Sequence, residues 1–474
     1  MDGLTSSDER DEGGPASTRK DDPAAAGDDS AATAIEADDP AATATTREDA
    51  PDGGDDTRLA LNGGPKARTR PFPSVSDPEG RTLGEEEIAA LTRVVRSGRL
   101  NSTVGGETRG FEAEFAAYFG VRHAVASSSG TAALHLAVAA VDPEPGDEII
   151  TTGLSDAGTF LPILAQNAVP VFADVDPATG NLDPASVRAR ITHRTRAIIA
   201  VHLFGQPAPV AELRALADEH GIVLIEDCAQ AYLTRCPVPG RSEPALAGTV
   251  GHLGCFSLQQ SKHITAGDGG LTIGNDDTLL RRARLFADKA WPRDTAERTH
   301  LFLGLNYRMT ELQAAVARAQ LPKLAGVVES RRAAARPLTR AVEELDGLST
   351  GIAEDSSYWL FPVFVDPEAA GADAHRYAEA LVAEGIPAIG GYIQQPLYLT
   401  PVLREARTYG ASTYPLTSPP ADAVPHYAPG LCPRTEELIG ERLFVLAWNE
   451  HYTAEDVDDI IKALRKVHAA FGTS

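Results

Sequence analysis

An α/β architecture is the fold class this sequence predicts: a large mixed, mostly parallel sheet domain followed by a smaller C-terminal α+β domain. Three observations predict it. From His123 to Glu226 short β-branched runs alternate with helical segments, the signature of strands buried on both faces and joined by helical crossovers. A long helical pattern from Thr310 to about Leu338 reads as the connection out of that region. Beyond it the pattern changes to a strand, a helix, a strand and a closing amphipathic helix.

Taken in order, residues 1–57 are dominated by Asp, Ala, Thr, Gly and Glu, with 17 acids against 4 bases. They show no apolar periodicity and offer too little apolar surface to offset the entropy of ordering, so a disordered acidic tail is expected. Of the formal net charge of -24, more than half sits there. Neither this stretch nor the remainder clusters Lys and Arg as phosphate binding requires, which argues against a nucleic-acid partner. No run of about 18 apolar residues occurs, so no membrane span is expected. Met1 to Glu9 has neither a basic lead nor an apolar core, and the expected compartment is the cytoplasm. Four cysteines, at 228, 236, 255 and 432, show no CxxC spacing and are too few to staple 474 residues. Reduced, structural thiols and no metal site are the reading.

Residues 58–330 are read as the large domain with an N-terminal arm, and 331–474 as the small domain. The arm, Arg58 to Arg81, carries Gly63-Gly64-Pro65 and Phe72. Glu85 to Arg96 places Ile88, Leu91, Val94 and Val95 at helical spacing, and Phe111 to Phe119 repeats the pattern. Strands are predicted over 123–127, 148–151, 170–174, 197–201 and 222–226. Helices are predicted near 131–140, 158–167, 184–191 and 209–219. In the second domain 358–365 and 443–447 read as strands, and 374–384 and 454–470 as helices.

Ligands of an open α/β sheet collect at the carboxyl ends of its strands, so the residues just after each strand are the candidates. Gly254 to Gly270 is the most suggestive stretch. A short apolar strand delivers Lys262 between small and polar residues, and the glycine-rich Gly267-Asp268-Gly269-Gly270 follows. Lysine becomes a Schiff-base nucleophile when its surroundings lower its pKa; a surface lysine beside a turn fits the stretch alone as well. Ser127 to His135 places small residues between a strand and a helix, where exposed amides stabilise a phosphate, or simply cap the helix. Ile225-Glu226-Asp227-Cys228-Ala229-Gln230 ends another strand. A carboxylate there can pair with a protonated pyridine nitrogen, and Asp227 suits this better than Glu226, whose side chain falls on the opposite face. An acidic pair at the rim of the sheet is the alternative. Ser257 could offer its hydroxyl to the same phosphate. Gly304 to Gln313 by itself reads as a turn with an N-cap.

Jointly, Gly130-Thr131-Ala132-Ala133-Leu134, Val201 to Pro207, Glu226 to Gln230, Phe256 to Lys262, Gly267 to Gly270 and Asn306-Tyr307-Arg308-Met309 resemble the DegT/DnrJ/EryC1/StrS sugar aminotransferases. The resemblance covers roughly residues 60–470. It implies a fold-type I enzyme that uses pyridoxal 5'-phosphate to move an amino group from glutamate or glutamine to a keto-sugar or keto-cyclitol. In that reading Lys262 carries the cofactor and shuttles the proton. Asp227 holds the pyridine nitrogen, Gln230 lies near the phenolic oxygen, and Gly130, Thr131 and Ser257 bind the phosphate. Asn306 reaches the phosphate of a neighbouring subunit, so the resemblance implies a homodimer with shared active sites.

One departure stands out: Asp156 occupies the position where members commonly stack an aromatic ring over the cofactor, and a carboxylate cannot stack. Either another residue covers the ring or that face is unusually polar. Asp156 also keeps open a sugar dehydratase or lyase, and a non-catalytic cofactor-binding regulator is a further alternative. His263, next to the lysine, and His202, at a strand end, read as structural or as site residues. Cys228 and Cys255 read as structural. Arg241, Arg293 and Tyr392 are candidates for substrate contact, with no motif to place them.

Overall fold

The computed structural model of the protein describes residues 57–351, 355–416 and 427–472. The expected acidic tail, Thr57 apart, lies outside the described residues. Leading the fold are helices α1 (Glu85–Ser97) and α2 (Glu107–Phe119). Then strands β1 (His123–Ser127), β2 (Glu148–Thr152), β3 (Val169–Ala173), β4 (Thr195–Val201) and β5 (Val223–Asp227) alternate with α3 (Gly130–Val141), α4 (Leu161–Ala165), α5 (Pro184–Arg190) and α6 (Val210–His220). A two-residue ladder, β6 (Arg235–Cys236) with β7 (Ala245–Leu246), precedes β8 (Leu253–Ser257), β9 (Gly270–Gly274) and α7 (Asp277–Ala287). The seven-stranded sheet has the order β1-β9-β8-β5-β4-β2-β3. Strands β8, β5, β4, β2 and β3 pair in parallel, and β9 runs antiparallel to both its neighbours.

Alternation along the central strands explains why both faces are covered. In β4, Ile198 and Ala200 face one core while Ala197 and Ile199 face the other, as a period of two requires. Phe115 and Phe119 of α2 pack on Phe256, with ring centroids 5.2 and 4.8 Å from its own, and Phe111 backs Phe115. This aromatic cluster anchors β8 one residue before its carboxyl end. Gly254 of the same strand lies so close to Gly248 that an added Cβ would stand 2.5 Å from its Cα. Gly254→Ala is therefore expected to destabilise the fold by about 1–3 kcal/mol in denaturant unfolding, as overpacking does.

The predicted helix over 310–338 is two helices, α8 (Glu311–Gln320) and α9 (Leu324–Glu343), joined by a 3-10 turn at Leu321–Lys323. Pro322 has no N–H to continue the ladder, which breaks the helix there. Thr310 and Gln313 cap α8 reciprocally. A second, antiparallel sheet follows, of order β10-β11-β13-β12, with β10 at Leu348–Ser349, β11 at Leu360–Val365, β12 at Ala388–Gly390 and β13 at Leu443–Ala447. Helix Ala454–Phe471 closes the chain's described part. The boundary read near residue 330 falls within α9. Strand β9 and helix α7 went unread in the sequence: β9 begins and ends with glycine, which reads as a turn until pairing on both sides is seen. Among the described residues no helix is long and apolar enough to cross a membrane.

Candidate active site

Lys262 sits in the turn between β8 and β9. Leu258 N donates to Gly269 O at 2.8 Å and closes the loop, and Lys262 N donates to Gln259 O at 2.9 Å inside it. Gly267 takes a φ of 81°, a left-handed conformation that suits glycine. Two distant side chains hold the peptide that carries the lysine. Arg81 donates to Lys262 O at 2.9 Å, and the indole N–H of Trp359 donates to Ser261 O at 3.0 Å. The half-buried amine itself lies 3.8 Å from the centroid of the Trp359 ring. Burial lowers its pKa to about 8, against the opposing pull of Asp156 and Asp227.

Asp227 ends β5 with its side chain buried. Its carboxylate accepts from Thr159 Oγ1 at 2.9 Å and from Ala229 N at 3.1 Å. Ser155 in turn hydrogen-bonds Thr159 at 2.8 Å, which fixes that hydroxyl. Burial raises the Asp227 pKa, while these hydrogen bonds and the Lys262 charge act the other way. Glu226 faces away: it accepts from Gly248, Val250 and Gly251 amides and from His202. Asp156 caps the 3-10 turn Ala157–Thr159 by accepting from Gly158 N at 2.7 Å, is exposed, and is close enough to act on the charges of Lys262 and Asp227. Gln230 accepts from Phe204 N at 2.7 Å and donates to Tyr392 Oη at 3.2 Å, so Tyr392 joins the site from the second sheet's side of the chain.

Gly130 opens α3, whose N-cap Ser129 accepts from Ala132 N at 3.0 Å. A Cβ on Gly130 would stand 2.6 Å from Ser257 Cβ, and one on Gly158 would stand 2.7 Å from Thr131 Oγ1. Three loop ends therefore meet around an uncluttered helix N-terminus, with Thr131 exposed at it. Lys262, Asp227 and Asp156 are thus brought together, and Gly130, Thr131 and Ser257 adjoin one another at the same sheet edge. Asn306 is not among them; it is exposed and lines a separate cleft with Leu100, Asn101, Ser102, Arg308, Met309 and Thr310.

His263 turns into the core, where its Nε2 meets Ser357 O at 2.9 Å and burial drives its pKa well below the usual value. His202, Glu226 and Cys228 lie within metal-ligating distance of one another. Because His202 Nδ1 accepts from Ala208 N at 3.0 Å, the ring proton sits on Nε2 and goes to Glu226, leaving no free nitrogen for a metal. Arg293 is paired with Asp288, and Arg241 is an exposed residue between β6 and β7. Sequence reasoning missed Thr159, Arg81 and Trp359. The only signal for Thr159 was its place three residues after Asp156; Arg81 and Trp359 carried none.

Residues 81–465 match the DegT/DnrJ/EryC1/StrS aminotransferase family. Among curated relatives, the L-glutamine:2-deoxy-scyllo-inosose aminotransferase of Streptomyces kanamyceticus is 38% identical over 367 residues, 73% of this chain and 82% of that protein. A putative L-glutamine:3-amino-2,3-dideoxy-scyllo-inosose aminotransferase of Streptoalloteichus tenebrarius is 34% identical over 430 residues, 87% of this chain and 98% of its own length. Among solved structures, that of S. venezuelae DesV in complex with a ketimine intermediate superposes with a TM-score of 0.68 at 30% identity, covering 81% of this chain and 94% of that one. The chain belongs to the DegT/DnrJ/EryC1/StrS aminotransferase family and is an aminotransferase of fold-type I.

Proposed function

We propose that this aminotransferase uses pyridoxal 5'-phosphate to transfer the amine of glutamine to the ketone of a deoxy-inosose-like cyclitol. The observation that carries the reading is one cluster at the carboxyl edge of the sheet: the Lys262 amine, the buried Asp227 carboxylate and the open N-terminus of α3. The glycine at 130 keeps that helix end clear, since a Cβ there would strike Ser257, and the donor set matches an anionic, pyridine-containing group. Glutamine and the cyclitol are taken from the names of the relatives.

Bound there, pyridoxal phosphate would supply a carbonyl carbon for the donor's amine and a ring that withdraws electrons from it. The chain's own residues do the rest. Lys262 moves a proton at the carbon bearing the amine, and a pKa lowered to about 8 leaves it able both to take and to return that proton near neutrality. Asp227, oriented by Thr159, keeps a proton on the pyridine nitrogen. Gly130, Thr131 and Ser257 would hold the phosphate, Gln230 would serve the phenolic oxygen, and Asp156 would give the site a polar face.

Asn306 lies outside its own chain's cluster and serves the cofactor of a second copy in a homodimer. Exposed apolar side chains on the segments bearing that cleft support this: Leu100, 46% exposed, and Leu303, 86% exposed. Burying such surface on a partner is favourable. The purified protein with cofactor, given glutamine and a panel of inososes and nucleotide-ketosugars, is expected to release one 2-oxo acid for each amine formed. Deoxygenated product without a 2-oxo acid would overturn the reading in favour of a dehydratase or lyase.

A further inference from the structure

We propose that Trp359, the residue just before β11, is a positioning residue for the Lys262 amine, to which it presents its indole face. The Lys262 Nζ lies 3.8 Å from the Trp359 ring centroid. An aromatic face attracts an ammonium more strongly than a neutral amine, because the full positive charge interacts with the negative face of the ring while a neutral N–H makes only a weak contact.

Trp359 is fixed on every side. Its backbone N donates to Phe204 O at 2.9 Å, its backbone O accepts from Arg331 at 3.2 Å, and its indole N–H reaches Ser261 O at 3.0 Å. Tyr392 packs edge-on against the ring, with centroids 6.2 Å apart and planes at 89°. The hydrogen bond to Ser261 joins the platform to the residue before the lysine, so ring and amine keep a common frame. A rigid contact of this kind does two things. It gives a four-carbon chain a direction, and it favours the protonated form against the burial that disfavours it.

Other charged groups face this amine from several elements. Asp156 comes from the loop after β2, Asp227 from the end of β5, and both favour the ammonium. The Tyr392 hydroxyl is tied to Gln230, and burial raises its pKa, so it stays neutral. Arg81 and Arg331 hold backbone oxygens of Lys262 and of Trp359, and Glu450 pairs with Arg331. Position 156 offers charge and position 359 offers the aromatic face.

The inference rests on the proposed function only in taking Lys262 as the reacting amine, and its test needs no turnover. In the full-length protein freed of cofactor, the pH dependence of Lys262 acetylation by acetic anhydride, read by mass spectrometry of the peptide, reports the amine's titration. The midpoint is expected near 8. Trp359→Phe should hold it close to that value. Trp359→Leu, which keeps bulk but has no ring face, should lower it by roughly half to one pH unit, about a three- to tenfold loss of ammonium. A second arm leaves the fold untouched: biosynthetic incorporation of mono-, di- and trifluorotryptophan weakens the quadrupole without changing shape. The midpoint should then fall stepwise, since neither Trp291 nor Trp448 has a cation–π contact with Lys262. A midpoint indifferent to fluorination, or raised by Trp359→Leu, overturns the proposal. Failure of all keto substrates with the fluorination series intact would instead sink the proposed function and leave Trp359 in place.

Discussion

Replacing Lys262 with alanine is expected to lower amino transfer by on the order of 10³-fold or more, because under the proposed function it would remove both the covalent anchor and the acid/base group. The expectation follows from where the amine lies. It lies beside two carboxylates at the sheet edge, and burial has lowered its pKa to about 8. A proton shuttle works best with a pKa near the working pH, and an unperturbed lysine would remain protonated. Lys262→Arg should be as inactive, since guanidinium keeps the charge but does not release its proton. Single-turnover formation of the amine, followed by chromatography, measures the loss. Addition of a small primary amine should restore part of the proton transfer in Lys262→Ala. Undiminished turnover in that variant would refute the assignment.

Glu450→Gln is expected to cost about 3–5 kcal/mol of stability, the penalty for leaving a buried charge without its partner. The Arg331 side chain is 0% exposed and that of Glu450 3%, with 2.7 Å between them. Arg331 also donates to the carbonyls of Tyr358, Trp359 and Trp448. This one guanidinium therefore joins α9, the start of β11 and the end of β13. Arg331→Met should be at least as damaging, because three buried carbonyls lose their donor as well. Burial alone would raise the Glu450 pKa, but Arg331 and Arg81 outweigh it and hold the group below 4.5. A carboxyl held below its unfolded pKa stabilises the fold above that unfolded value and loses the contribution as pH falls through the folded one. Wild-type stability should thus fall as pH drops below about 4.5, with a component missing in Glu450→Gln. Urea unfolding midpoints across that range would show it, and equal midpoints for wild type and Glu450→Gln at neutral pH would refute the account.

Much of the site was legible in the chain because its signals are local. A strand end followed by small residues marks Gly130 and Thr131, and strand alternation separates Asp227 from Glu226. The glycines at 267, 269 and 270 mark the turn that presents Lys262. The order of these segments carried the family resemblance. Boundaries were less legible where a single residue overrode a periodic pattern, as Pro322 did between α8 and α9. Strand β9 escaped notice because flanking glycines look like a turn, and only pairing with β1 and β8 makes Gly270–Gly274 a strand.

By itself the sequence determined the α/β class and the absence of an aromatic ring at position 156, and it pointed to Lys262 and Asp227 as candidates. Only the tertiary structure decided what stands beside the amine. Arg81 reaches Lys262 across 181 residues and Trp359 reaches Ser261 across 98. Periodicity and turn chemistry act over a few residues and are written in short stretches of sequence. The face of a tryptophan meets an amine so far away only after the chain has folded and Arg331, paired with Glu450, holds the Trp359 carbonyl.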